Sequence, residues 1–276
     1  MTGLTVIIPV MDRPTVGETV ASVARAAPDA AILIADGGTQ CARTLACIRD
    51  AVSRYPRVKH EVIPQQPFNK ARLLNAVVSH AGGRQLLFSD ADIVWASDAV
   101  TSLYSAATSA GCDLVFVEHV TETQAAAGCR TIFVATATQT CEGFEVSLHS
   151  QAVGHTRPGF GLVLVGRDVF YSVGGFREDL VGYGFEDQDL LLRASLLGYS
   201  VSSTAGCQHI THADTERGDP LLLRKQRNAN VLRSLSALAR GALHGALATN
   251  ASPVSHCTRV QICPEFMNEL LESGVG

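Results

Sequence analysis

Asp90 and Asp92 stand one residue apart in "LLFSDADIVW" (86–95), with apolar residues on either side. Charge is costly in such a stretch unless it is paired or holds an ion. In a strand, side chains at i and i+2 point to the same face. Both carboxylates can then reach one cation, directly or through its ligands. Hard oxygen donors suit Mg2+ or Mn2+, which commonly bridge to substrate phosphates. The same residues also fit an acidic turn that closes the strand, with Asp92 or Asp98 capping the next helix. A second acidic group, Glu186, Asp187 and Asp189 in "GYGFEDQDLLLR" (182–193), crowds the first turn of a helical pattern. The helix dipole favours carboxylates there. Three so close exceed that need, and the glycines before them permit close approach by a ligand. A carboxylate at this place can serve as a general base. Finally, "CQHITH" (207–212) offers Cys207, His209 and His212 beyond a strand. These histidines read either as metal ligands or as hydrogen-bonded structural residues. Four convincing ligands for a closed zinc site are not visible nearby.

The elements that must position these groups follow from periodicity. "LTVIIPV" (4–10), "AAILIAD" (30–36), "VKHEVIP" (58–64), "RQLLFSDADIV" (84–94) and "CDLVFVEHV" (112–120) read as strands. Helical spacing separates them at 16–27, 41–54, 68–82 and 98–110. Apolar strands alternating with helices predict an α/β fold with a mostly parallel central sheet and helices on both faces. Sites in such sheets lie beyond the carboxyl ends of the strands; Asp12, Asp36 and the Asp90–Asp92 pair all fall there. From 119 to 158 periodicity weakens in Thr/Ala/Gln/Gly-rich sequence, which predicts short strands and mobile loops. A helix at 185–198, strands at 199–204 and 206–212 and a Leu/Ala/Arg-rich helix at 219–248 complete the pattern. Arg224, Lys225 and Arg227 on that last helix read as a solvated face or as a surface for a partner or anionic lipid.

Composition narrows the function. The 276 residues carry 22 basic and 26 acidic side chains, net -4, with no basic stripe to track nucleic acid. Eight cysteines without a C-x-x-C pair predict reduced thiols in a cytoplasmic protein. "MTGLTVIIPV" lacks the basic start and cleavage site of a signal peptide. No apolar run reaches the roughly 18 residues of a membrane span, so membrane association is not indicated. No G-x-G-x-x-G follows the first strand, which argues against a dinucleotide dehydrogenase. An acidic pair, an acidic helix start and a late histidine on one sheet would suit a nucleotide diphosphate. The metal would neutralise the leaving group while a carboxylate deprotonates the attacking hydroxyl; such a reaction is sugar transfer from a nucleotide-sugar.

Over residues 4–230 the sequence resembles the metal-dependent inverting glycosyltransferases of GT-A fold, the Rossmann-like nucleotide-sugar-binding fold. It is most similar to the β-1,4-galactosyltransferases and chondroitin-type polymerases. The blocks that carry this are "IIPVMDR" (7–13), "FNKARLLNAV" (68–77), "LLFSDADIV" (86–94) and "VGGFREDLVGYGFEDQDLLLR" (173–193), in family order, with a histidine block after them. The resemblance implies a UDP-sugar donor (UDP-Gal, UDP-GalNAc or UDP-GlcNAc) and a Mn2+ or Mg2+ cofactor. Pro9 and Arg13 would lie beside the nucleotide, Asp36 would read uracil, and Phe68 and Lys70 would line the uridine and ribose. Asp92 would coordinate the metal, with Asp90 nearer the ribose and Ala91 between them. His212 matches the family's metal-binding histidine, and His209 stands where some members have a methionine ligand. Asp187 matches the catalytic base, Glu186 a sugar contact, and Tyr183 with Gly184 the family's sugar-packing position. Met11 replaces a second nucleotide-binding arginine, and Pro158 lies where a bulky gate beside the donor sugar would stand, so an N-acetylhexosamine could fit. The missing Golgi-type anchor and stem point to a bacterial-type enzyme. The expected division is a glycosyltransferase domain at 1–235 and a helical tail at 236–276. Within the domain, 1–118 forms the nucleotide half, 119–158 the acceptor-side loops and 159–235 the catalytic half. The acceptor could be a glycan, a lipid-linked sugar, a peptide or a small molecule. Two rivals stand beside this reading. A nucleotidyltransferase would want a Gly-rich phosphate loop that "IIPVMDRPTVGET" is not. A catalytically inactive scaffold of the same fold sits poorly with intact Asp92, Asp187 and His212.

Overall fold

The computed structural model describes residues 1–124, 129–212, 219–248 and 257–274. Strands and helices alternate through β1 (Leu4–Val10), α1 (Val16–Ala26), β2 (Ala31–Asp36), α2 (Ala42–Arg54), β3 (Val58–Val62), α3 (Lys70–Val78), β4 (Gln85–Phe88), β5 (Ile93–Trp95), α4 (Ser97–Thr108) and β6 (Leu114–Glu122). There follow β7 (Arg130–Thr140), β8 (Gly143–Val153), β9 (Thr156–Gly166), α5 (Arg167–Ser172), α6 (Glu186–Leu196), β10 (Val201–His209), α7 (Pro220–Ala239), β11 (Cys257–Ile262) and α8 (Pro264–Ser273). Described residues within 1–126, 155–170 and 200–211 form one compact unit; those within 127–154, 171–199 and 212–276 form a second.

The first unit holds an eight-stranded sheet in the order β3-β2-β1-β4-β9-β6-β10-β5. β3, β2, β1 and β4 run parallel. β1 is buried along its whole length, as a strand covered on both faces must be, and this explains its unbroken apolar run. α1 buries Val16, Val20 and Val23 at helical spacing. β9 enters antiparallel to both β4 and β6, β6 and β10 are parallel, and β5 closes the edge antiparallel to β10. The α/β expectation holds: the sheet pairs β3-β2-β1-β4 and β6-β10 in parallel, with β9 and β5 running antiparallel to their neighbours.

The expected strand 84–94 is broken. β4 stops at Phe88, and after the link carrying Asp90 and Asp92 the chain re-enters the sheet as β5, at the opposite edge. Hydrogen bonds to α1, together with one within the link, hold the break. Ile93 N donates to Thr19 Oγ1 (3.1 Å), Trp95 N to Ser22 Oγ (3.0 Å) and Trp95 Nε1 to Ser89 Oγ (3.0 Å). The two aspartates therefore do not share one strand face.

The second unit contains a three-stranded sheet, β11-β8-β7. β7 and β8 pair antiparallel from Arg130↔Val153 to Thr140↔Gly143, a long hairpin where short strands and mobile loops were expected. In β7 a short Ile-Phe-Val run is followed by alternating Ala and Thr, a pattern too weakly apolar to read locally but sufficient once one face is covered. Phe133, Val146, Leu148, Leu192, Leu196, Val231, Leu235, Phe266 and Leu270 form this unit's core. The segment expected as a helical tail contributes β11 as well as α8. Among the described residues no helix is long and apolar enough to cross a membrane.

Candidate metal centre and nucleotide site

The break after β4 delivers Asp92 to β10. β5 and β10 pair with His209 opposite Ile93, and Ile210 N donates to Asp92 O at 2.8 Å. Asp92 and His209 are thereby buried side by side, with Asp92 Oδ2 3.4 Å from His209 Nε2. His212 follows three residues on. Asp92, His209 and His212 each offer one ligand atom, and these atoms lie within 4.8 Å of one another. Two opposed donors on one ion with bonds of about 2.1 Å stand about 4 Å apart, so the spread is close to what a single cation requires. One carboxylate with two imidazoles suits a transition ion such as Mn2+ better than Mg2+, which favours oxygen alone.

Glu122, which no sequence motif flagged, completes this cluster. It ends β6 directly opposite His209 in the parallel register, and its Oε2 lies 2.6 Å from His209 Nδ1. Thr211 Oγ1 donates to the same oxygen at 3.1 Å. Burial works to lower the His209 pKa, but Asp92 and Glu122 outweigh it and raise the ring above its ordinary value. Burial likewise works to raise Glu122, and His209, Thr211 and Arg157 hold it below the carboxylate range. The one signal that points to Glu122, its position opposite His209, exists only once β6 and β10 are paired.

Asp90 turns elsewhere. Its Oδ1 accepts from Lys70 Nζ at 2.8 Å, and it is not among the three converging ligands. Lys70 opens α3, whose start is fixed by Asn69 as N-cap, accepting from Arg72 N at 2.9 Å. The Asn of "FNK" is thus explained by local structure. Ala91, between the two aspartates, is 5% exposed. At the end of β2, Asp36 Oδ1 accepts from Gly38 N (2.9 Å) and Thr39 N (2.7 Å), and its Oδ2 meets His60 Nε2 at 2.9 Å. Burial works to raise the Asp36 pKa, but these partners outweigh it and hold the carboxyl below its ordinary value. Phe68 packs on the same turn: a Cβ added at Gly37 would lie 2.7 Å from its ring. Pro9 is buried on β1 beside Ala35, and Arg13 lies partly exposed just after that strand. Between them Asp12 Oδ1 accepts from Gln40 N and Cys41 N, at 2.8 and 2.6 Å, and so ties the first loop to the start of α2.

In the second unit, Tyr183 is exposed and Gly184 partly so. Gly182 and Gly184 both have positive φ, which only glycine adopts without strain. Asn230 of α7 donates to Gly184 O at 2.9 Å and pins the loop. Glu186 and Asp187 are half-buried in the first turn of α6, where Asp187 Oδ1 accepts from Gln188 N at 2.8 Å. Gln188 bonds Phe133 O and Ala135 N of β7, both at 2.9 Å. Asp189 has a different job from its neighbours: fully buried, it pairs with Arg193 at 2.7 Å and accepts from Ser234 Oγ at 2.6 Å.

Residues 5–131 match the family model described as glycosyl transferase family 2, and residues 126–216 match the one described as the N-terminal domain of galactosyltransferase. No curated protein sequence matches the chain. Among solved structures it is similar to the mannosyltransferase PcManGT from Pyrobaculum calidifontis in complex with GDP-Man and Mn2+, at 15% identity and TM-score 0.58, over 91% of this chain and 66% of that one. It is also similar to S. aureus TarS 1-349 in complex with UDP, at 14% identity and TM-score 0.56, over 87% and 70%. GalNAc-T7 with UDP, GalNAc and Mn2+ is matched at 14% identity and TM-score 0.61, over 86% and 48%. The chain thus spans 66% of the first of these proteins and 48% of the last.

Proposed function

We propose, from the premise that this chain is a glycosyltransferase of GT-A fold, that it moves a hexose or N-acetylhexosamine from a UDP-sugar to an acceptor hydroxyl, with inversion. The observation that carries this reading is the convergence of Asp92, His209 and His212 within 4.8 Å. These three would hold Mn2+, which when bound would neutralise charge developing on the departing diphosphate. Solved relatives of the same fold contain Mn2+ with a nucleotide or nucleotide-sugar.

The chain's own residues supply the rest. Asp36, Phe68, Pro9 and Arg13 cluster near the ends of β1 and β2 and would cradle the uridine. Lys70, held by Asp90, would lie along the ribose and phosphates. Tyr183 and Gly184 would pack on the sugars, with Glu186 as a sugar contact. In a single displacement the acceptor oxygen bonds to the anomeric carbon as the bond to UDP breaks, and Asp187 takes the hydroxyl proton. Asp187 stands in the first turn of a helix, where the dipole favours a carboxylate, and is partly open to solvent, which supports that role.

The test is a set of UDP-sugars, with GDP-mannose as a contrasting donor, screened for Mn2+-dependent nucleotide release, together with calorimetry of UDP in Mn2+ and in EDTA. Mn2+-dependent release of UDP from one sugar class is expected. Asp187→Asn should lower transfer by about 100-fold or more while UDP binding stays nearly intact. Asp92→Asn should weaken UDP binding only when metal is present. UDP affinity that is the same in EDTA and Mn2+ would sink the metal reading, and loss of UDP binding in Asp187→Asn would sink the base assignment.

A further inference from the structure

Glu122 lies outside every motif, yet its carboxylate is aimed at one histidine of the candidate metal site. It is 9% exposed at the end of β6. Oε2 takes His209 Nδ1 at 2.6 Å and Thr211 Oγ1 at 3.1 Å, and Oε1 lies 3.6 Å from Arg157 Nε. An ionised carboxylate can only accept, so Nδ1 carries a proton. The lone pair of the neutral ring is then on Nε2, the nitrogen that faces Asp92 at 3.4 Å. The backbone holds both partners in register: Thr123 N donates to His209 O, and Glu122 N to His155 O, each at 2.9 Å.

We propose that Glu122 is a positioning residue of the metal centre: it fixes the ring orientation and the Nδ1–H tautomer of His209, so that Nε2 is presented to a divalent cation shared with Asp92 and His212. This rests on the reading of those three residues as a metal site. The carboxylate also raises the basicity of the imidazole it binds, which strengthens the ligand, and its burial keeps water from competing for Nδ1. Without it, the ring can rotate or place its proton on Nε2, and either change removes a ligand.

The experiment titrates the full-length protein with Mn2+ alone, without nucleotide, and reads free Mn2+ by electron paramagnetic resonance. The unmodified chain, Glu122→Gln and Glu122→Ala are compared, and melting in EDTA reports folding of each. Gln can still accept Nδ1–H through its amide oxygen but lacks the charge, so about 10-fold weaker Mn2+ binding is expected. Ala loses both functions, and about 100-fold is expected. A purely structural role would lower the melting temperature in EDTA and leave Mn2+ affinity unchanged, which would overturn the inference while the metal site stood. If Glu122→Ala does not fold, Glu122→Gln at unmodified affinity overturns it equally. No Mn2+ binding by the unmodified chain would remove the metal site itself, and this inference with it.

Discussion

Arg193→Met breaks the most deeply buried ion pair of the second unit. Arg193 and Asp189 are both 0% exposed. Arg193 Nε donates to Asp189 Oδ2 (2.7 Å), Nη1 to Val173 O (2.9 Å) and Nη2 to Gly175 O (2.8 Å). Methionine fills most of the volume but supplies no donor. Asp189 then keeps Ser234 at 2.6 Å and loses its buried counter-charge. Removing one partner of a buried pair costs about 3–5 kcal/mol; Val173 O keeps Gly245 N at 2.9 Å, whereas loss of the donor to Gly175 O costs about 1–3 kcal/mol. These costs are not additive, because both arise from the loss of one side chain. We therefore expect about 4 kcal/mol. Asp189→Leu with Arg193→Met removes both charges, takes away the partners of Gly175 O and Ser234 Oγ and should recover about half of that loss. The assay is urea unfolding followed by far-ultraviolet circular dichroism. Trp95, the single tryptophan, lies in the first unit, so its fluorescence reports whether that unit unfolds separately. A loss below about 1 kcal/mol for Arg193→Met, or a double variant less stable than the single, would refute the reasoning.

Three further outcomes follow from geometry. Gly37→Ala places a Cβ 2.7 Å from the Phe68 ring; the ring must swing away, so UDP affinity should fall about tenfold at a stability cost of about 1–3 kcal/mol. Unchanged affinity by calorimetry would remove Phe68 from the nucleotide site. Cys207 is pushed up to about 12, by burial first, with Asp90 adding to the shift and Arg157 opposing it. At pH 8 a thiol reagent should therefore modify the exposed Cys129 and Cys141 and reach Cys207 only in denaturant, as peptide mass mapping would read. Asp36 has a folded pKa below its ordinary 3.8. Its stabilisation is thus complete above that unfolded value and is lost as pH falls through the lower folded one. Urea midpoints from about pH 5 to pH 3 should fall more steeply for the unmodified chain than for Asp36→Asn; equal slopes would contradict the assignment.

Much of the candidate site is legible in the sequence because its chemistry is written in residue types with short spacing. Asp90, Asp92, the acidic start of α6 and the 209–212 histidines all stand out from apolar surroundings. The alternation of β1, β2 and β4 with α1 to α3 is legible for the same reason, since buried strands and one-sided helices have different periods. What a local pattern does not carry is long-range pairing. The break at Phe88 depends on Thr19 and Ser22, some 70 positions earlier in the chain. Glu122 gains its meaning from His209, 87 residues away. The β7–β8 hairpin hides in Thr/Ala sequence whose strand preference emerges only against a covering layer. Asp189 is the opposite case: its i,i+4 partner Arg193, flanked by leucines, is visible as a pair, but only burial separates it from the neighbouring acids proposed for chemistry.

The short link between β4 and β5 divides labour between adjacent carboxylates. Asp90 answers to a lysine on the helix that follows β3, and Asp92 to imidazoles at the far edge of the sheet. One small residue, Ala91, is the whole hinge between those allegiances, and it is enclosed. The reach between Lys70 and the Asp92–His209 pair is therefore set by one intervening residue. A longer link or a larger side chain there would change that reach without altering a single charge.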